Sequence, residues 1–113
     1  MEFQVLHTKN LVLISLQGRL MGESDGLIIN EQFHDLIGQG HRNFVLNLEA
    51  LQHINSSGLG VLITLLTKVR KVEGELALAE PSEFINNLLV ITKLNSIFKI
   101  YDSNDSAIQS LGA

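Results

Sequence analysis

The residues best suited to chemistry in this chain stand together at Asn55-Ser56-Ser57-Gly58-Leu59-Gly60. An amide and two hydroxyls precede an apolar run, which is the composition of a helix start. Two readings follow. Ser and Asn are ordinary N-caps, because their side-chain oxygens accept the unpaired N–H groups of a first turn. That same turn carries free N–H groups and the positive end of the helix dipole, so a serine within it also suits phosphorylation. A phosphate there adds about −1.5 to −2 charges to the surface.

Other chemistries find little material. His7, His34, His41 and His53 are scattered, and none forms an H-x-x-x-H or H-E-x-x-H pair. No metal site is expected from them. Gly58-Leu59-Gly60 lacks both the third glycine of a dinucleotide fingerprint and a following Gly-Lys-Ser/Thr. Glycine at a helix start instead permits close backbone packing. Asn55 stands where a G-x-S-x-G elbow around Ser57 needs its first glycine, so a hydrolase is not expected. The carboxylates form no evident acid/base pair. The chain has no cysteine, which excludes disulfides, zinc-thiolate sites and a thiol nucleophile. The expectation is a protein that is not an enzyme and binds no cofactor.

The whole chain bounds the class further. Its 113 residues suit one domain, residues 1–113, and 45% are hydrophobic against 18% charged. Such a chain folds without a metal or disulfide. Eight basic and twelve acidic residues give a net charge of −4. Without a Lys/Arg block to neutralise phosphates, no nucleic-acid partner is expected. Lys68, Arg70 and Lys71 read as the solvated end of a helix. No apolar run reaches the roughly 18 residues of a membrane span, and the start lacks a signal-peptide pattern. Neither membrane insertion nor export is expected, and a cytoplasmic location is.

The elements that position the motif alternate between strand and helix periodicity. Phe3, Val5 and His7 alternate with Glu2 and Gln4, and Thr8-Lys9-Asn10 supplies a hairpin turn. Leu11 to Leu16 forms the second strand, ended by Gly18. Glu23-Ser24-Asp25 offers N-caps to a helix that turns Leu27, Ile28, Phe33, Leu36 and Ile37 inward. Phe44 to Leu48 is apolar but for Asn47 and suits a central strand covered on both faces. A long helix from about Gly58 to Val72 follows. Its main stripe is Leu59, Leu62, Ile63, Leu66 and Val69, widened by Val61, Leu65 and Val72. Glu75 to Ala79 is a strand, and Ser82 opens a helix with Phe84, Ile85, Leu88 and Leu89 inward. Ile97 to Tyr101 is the last strand, followed by a short helix holding Ala107, Ile108 and Leu111. The order β-β-α-β-α-β-α-β-α predicts an α/β fold with a small, mixed, mostly parallel sheet and helices packed on one side. The first strand is expected at an edge.

The stretch from Asn43 to Leu66 resembles the signature of STAS domains, specifically the bacterial anti-sigma factor antagonists. Their pattern is a strand ending Asp-Leu-Ser, a variable loop, then Asp-Ser-Ser-Gly-Leu-Gly and an apolar helix. Here the strand ends Asn47-Leu48-Glu49 and the motif starts at Asn55. Where the family often has Gly-Glu-Leu-Asp after its second strand, this chain has Gly18-Arg19-Leu20-Met21. Asn47, Asn55 and Met21 thus replace three family aspartates. The element order matches the family over nearly the whole chain.

The resemblance implies partner switching. An unmodified antagonist binds an anti-sigma factor that is also a serine kinase, and so releases a sigma factor. The kinase phosphorylates the second motif serine, here Ser57, and a serine phosphatase reverses the step. The implied docking surface is Asn55, Ser56, Ser57, Gly58 and Leu59, and Met21 and Gly22, in the turn after the second strand, are expected to join it as accessible loop residues. The alternative is a constitutive STAS interaction module of a signalling or transport complex, without a phosphoswitch.

Overall fold

One long strand organises the sheet. In the computed structural model, which describes residues 1–8 and 10–112, strand β2 runs from Val12 to Leu20. Val12, Ile14 and Leu16 are buried on one face, while Leu13 turns to the other. Strand β1 (Glu2–His7) pairs with β2 antiparallel and puts Val5 opposite Ile14. The turn expected between them includes Lys9, which lies outside the described residues.

The other side of β2 serves two partners in succession. Its first half pairs parallel with β3 (Asn43–Asn47), and its second half pairs parallel with β4 (Leu51–Ile54). Beyond β3 lie β5 (Glu75–Ala79) and β6 (Lys99–Tyr101), both parallel, giving the order β1-β2-β3-β5-β6 with β4 beside β2. The sheet is mixed and mostly parallel, with β1 at an edge and β3 central, as the hydrophobic pattern predicts.

Three strands differ from the sequence reading, and one of them is the last, which starts at Lys99 rather than Ile97. β2 does not stop at Gly18. Its register shifts between Gly18 and Arg19, and the strand continues to Leu20 alongside β4. β4 itself was not expected. Its buried residues, Leu51 and Ile54, stand three apart rather than two, so the segment shows no strand alternation. It becomes a strand because β2 overhangs β3 and offers unpaired backbone groups.

Four α-helices cover this sheet: α1 (Glu23–Gly38), α2 (Ser56–Lys71), α3 (Glu83–Ile91) and α4 (Asn104–Gly112). The first three contribute to one core with Val12, Ile14, Leu16, Phe44, Leu46 and Leu78. Phe33 of α1 stacks on Phe44 there, with ring centroids 4.7 Å apart. The expectation that all helices pack on one side fails for α4. Its Ala107, with Ile108 and Leu111, packs with Leu13, Val45 and Ala79 in a second cluster. Successive strand residues point to opposite faces, and these belong to the alternate set. The apolar run through β3 is continuous because both faces are covered.

The helix faces are rotated slightly from the periodicity reading. α2 buries Leu62, Leu65, Leu66 and Val69, while Ile63 is exposed. α1 buries Ile29, Phe33 and Leu36, leaving Leu27 and Ile28 exposed. In α3, Phe84 is half exposed and stacks on the His53 ring. Leu62→Ala should therefore cost about 2–5 kcal/mol in a denaturant titration, since the side chain is fully buried. Ile63→Ala, one residue along, should cost less than about 1 kcal/mol.

Candidate functional site

The motif lies where β4 hands the chain to α2. Asn55 is the N-cap in extended conformation, and its Oδ1 accepts a hydrogen bond from Gly58 N at 2.8 Å. Leu59 N donates to the Asn55 carbonyl at 2.9 Å. Ser56 and Ser57 occupy the first turn, and both are exposed. Among the described residues, no partner accepts their backbone N–H groups and none hydrogen-bonds Ser57 Oγ. The turn therefore presents a hydroxyl beside two free donors at the positive end of a 16-residue helix. The amide of Asn55 caps as a carboxylate would, but without its charge.

Gly58 and Leu59 play different parts from the serines. Gly58 is buried: a Cβ built on it would lie 2.2 Å from the Leu20 carbonyl oxygen and 2.7 Å from Ile54 Cγ1. Only glycine lets α2 start this close to the end of β2. Leu59 is half-buried and packs against the main core. The accessible part of the motif is Ser56, Ser57 and the edge of Asn55.

The same contact brings the β2–α1 turn to the motif. Leu20 pairs with Ile54, so Met21 and Gly22 leave the sheet beside Asn55. Met21 is exposed. Gly22 caps α1 with φ of 147°, a conformation side chains rarely adopt. None of the hydroxyl or carboxyl side chains expected to cap α1 does so from the N-cap position. Instead Asp25 reaches back from the first turn and accepts from Met21 N at 3.3 Å. A carboxylate thus stands beside this turn although Met21 itself carries none. The sequence holds a partial signal: an acid in the first turn can reach back as in a capping box, though here it bonds the N–H of Met21 rather than that of the cap residue Gly22.

Asn47 belongs to a different cluster. Its Nδ2 donates to Asn104 Oδ1 at 2.6 Å and to Glu80 Oε2 at 3.4 Å, and its Oδ1 accepts from Glu49 N at 2.9 Å. Glu80 Oε2 also accepts from Asn104 N at 3.0 Å, which caps α4. None of these bonds reaches Ser57. Glu49 and Glu80 face each other. The hydrogen bond to Glu80, with its charge, raises the Glu49 pKa. The reciprocal bond from Glu49 and the Asn104 N–H lower that of Glu80. A hydrogen bond between the two carboxyls needs a proton, and these shifts place it on Glu49.

The four histidines do not converge: His7 and His41 meet edge to face at 5.0 Å, His53 stacks on Phe84, and His34 is exposed. Among the described residues no helix is long and apolar enough to cross a membrane.

Residues 2–107 match the family model of the STAS domain. A Thermotoga neapolitana protein, provisionally named an anti-sigma factor antagonist, is 30% identical over 103 residues, 91% of each chain. The anti-sigma F factor antagonist of Paenibacillus polymyxa is 24% identical over 98% of this chain and 95% of its own. Among solved structures, the phosphorylated form of the Bacillus cell fate determinant SpoIIAA superposes with a TM-score of 0.75. It is 24% identical and covers 96% of this chain and 98% of its own.

Two outcomes test the electrostatics and capping of these clusters. Asn55→Ala should lower stability by about 1 kcal/mol by orphaning Gly58 N, whereas Asn55→Asp should retain the cap, as thermal unfolding will show. For the carboxyl pair, the raised pKa of Glu49 makes its contribution fall as pH rises through that value. The lowered pKa of Glu80 makes its contribution fall as pH drops through that one. The pair is most favourable between the two. Glu49→Gln keeps a donor towards Glu80 at every pH. Its melting temperature should lack the decline that the parent shows as pH rises above the ordinary carboxylate range.

Proposed function

The chain belongs to the STAS-domain family, and from that premise we propose that it is an anti-sigma factor antagonist controlled by phosphorylation of Ser57. The observation that carries this reading is the exposed Ser57 hydroxyl in the first turn of α2, beside free N–H groups. The names carried by its relatives support the partner class. In this reading the unmodified protein binds an anti-sigma factor with serine-kinase activity and thereby frees a sigma factor. It performs no catalysis itself.

The switch works through charge at an interface. The kinase transfers the γ-phosphoryl of ATP: a bond forms from Ser57 Oγ to phosphorus as the bond to ADP breaks. The hydroxyl proton passes to a base on the kinase, because no side chain among the described residues hydrogen-bonds Ser57 Oγ. The helix terminus tolerates the new phosphate, so the domain stays folded. A packed partner does not, because the dianion must be desolvated and meets any nearby carboxylate. A penalty of about 2.7 kcal/mol weakens binding about a hundredfold. A serine phosphatase then resets the protein.

Met21, Gly22 and Leu59 lie around this serine and complete the docking surface. The neutral Asn55 and apolar Met21 favour a partner that is less basic at this point than one matched to two aspartates. They are also the features that favour the rival reading, a constitutive module without a switch.

Incubation with the cognate kinase and Mg-ATP, followed by mass mapping, decides between them. Ser57→Asp should melt within a few degrees of the parent yet bind the anti-sigma factor about a hundredfold more weakly. Ser57→Ala should bind and take up no phosphate. A partner that binds tightly while Ser57 stays unmodified would establish the constitutive module.

A further inference from the structure

A groove runs along α2 from the motif towards the far end of the helix. Near Ser57 it has a volume of about 460 Å³ and is walled by Leu27 and Asn30 of α1 and by Val61 and Thr64 of α2. It continues past Ile63 to Lys68 and Lys71. From Ser57 to Lys71 the helix rises about 21 Å, roughly four turns. Two features mark it as a binding surface. Leu27 is 65% exposed and Ile63 38%, so apolar surface faces solvent on both walls. Asn30 lines both stretches, and among the described residues its buried Oδ1 has no hydrogen-bond partner. An unsatisfied acceptor is a cost that a donor from an occupant would remove.

The charge of the groove identifies the occupant. In a chain of net charge −4, no described residue lining either stretch is acidic. The only charges are Lys68 and Lys71, in the last turn of α2, and neither has an ion-pair partner among the described residues. Arg70, by contrast, is engaged with the Ile97 carbonyl at 2.8 Å. We propose that the α1–α2 groove binds an amphipathic helix of a partner protein, antiparallel to α2, with acidic residues in its first turn against Lys68 and Lys71. The antiparallel sense follows from dipoles. The partner's N-terminus favours its own acidic residues and meets the negative end of α2. Its apolar stripe, at i, i+3, i+4 and i+7, covers Leu27, Val61 and Ile63.

This assignment goes beyond the phosphorylation reading and shares with it only the premise that this end of the molecule faces a partner. The probe is a fluorescein-labelled sixteen-residue peptide, about four turns of helix, with leucine at those spacings and glutamates in the first turn. Its twin carries lysines there. Anisotropy titrations and amide shift mapping on the full chain should place the acidic peptide against Leu27, Asn30, Val61 and Thr64. Lys68→Glu with Lys71→Glu should weaken it by roughly tenfold or more, and the twin should recover that loss. Leu27→Ser, at an exposed site that leaves the core intact, should weaken both peptides. Peptide binding is read with neither kinase nor ATP present, so a failed phosphorylation experiment leaves this result standing. Equal affinity for the two peptides, shifts confined to other surfaces, or self-association of the free chain through this groove would overturn the proposal.

Discussion

The contact between Gly58 and the Leu20 carbonyl governs the functional end of this molecule. Because no Cβ fits between them, α2 begins directly against the last residue of β2. That fixes three things together. It docks the motif turn on the sheet, and it sets Met21 and Gly22 beside Asn55. It also leaves Ser56 and Ser57 on the outside of the turn, since the inward position is taken by a residue without a side chain. The overhang of β2 past β3 is part of the same arrangement, because β4 uses it to deliver Ile54 and Asn55 to that point.

The second constraint is the two-sided burial of β3. Phe44 and Leu46 serve the core beneath α1, α2 and α3, while Val45 serves the small cluster beneath α4. The polar end of this strand is closed by Asn47, which holds Glu80 and Asn104 and so ties the α4 start to the sheet. Asparagine is well suited to this place: its amide donates to a carboxylate and to a carbonyl oxygen while its own oxygen accepts a backbone N–H. An aspartate would present acceptors only, facing the Glu80 carboxylate.

Around Ser57 the chemistry is that of a nearly neutral helix start. Asn55 caps without charge, Met21 is apolar, and the Asp25 carboxylate is engaged with the Met21 backbone. A phosphate on Ser57 would therefore be the dominant local charge. The groove that begins at Ser57 becomes basic only at its far end, beyond the roughly 8–10 Å over which salt screens surface charges. A modification at one end and the ionic recognition proposed at the other would thus be largely independent in electrostatic terms, although they share one helix.

Much of this was legible in the residues. The alternation of β1, the unbroken apolar run Phe44-Val45-Leu46 and the 3.6-residue stripe of α2 each report a local pattern, and local patterns survive folding because burial selects them. The identity of Asn55 as a cap was equally plain, since capping is a contact within three residues. What sequence could not supply was whatever depends on a distant partner. β4 is a strand only because β2 overhangs β3. Leu27 and Ile28 are exposed because the packing of α1 against α2, with Gly26 against Val61, turned Ile29 inward instead. α4 chose the opposite face because small Ala79 and Val45 offered it a seat. Asn47 stands where the family pattern has an aspartate, and two of its three bonds run to residues 33 and 57 positions away. Local pattern determined which elements form and where the reactive turn lies; long-range packing, which no short window of sequence contains, decided what surrounds it.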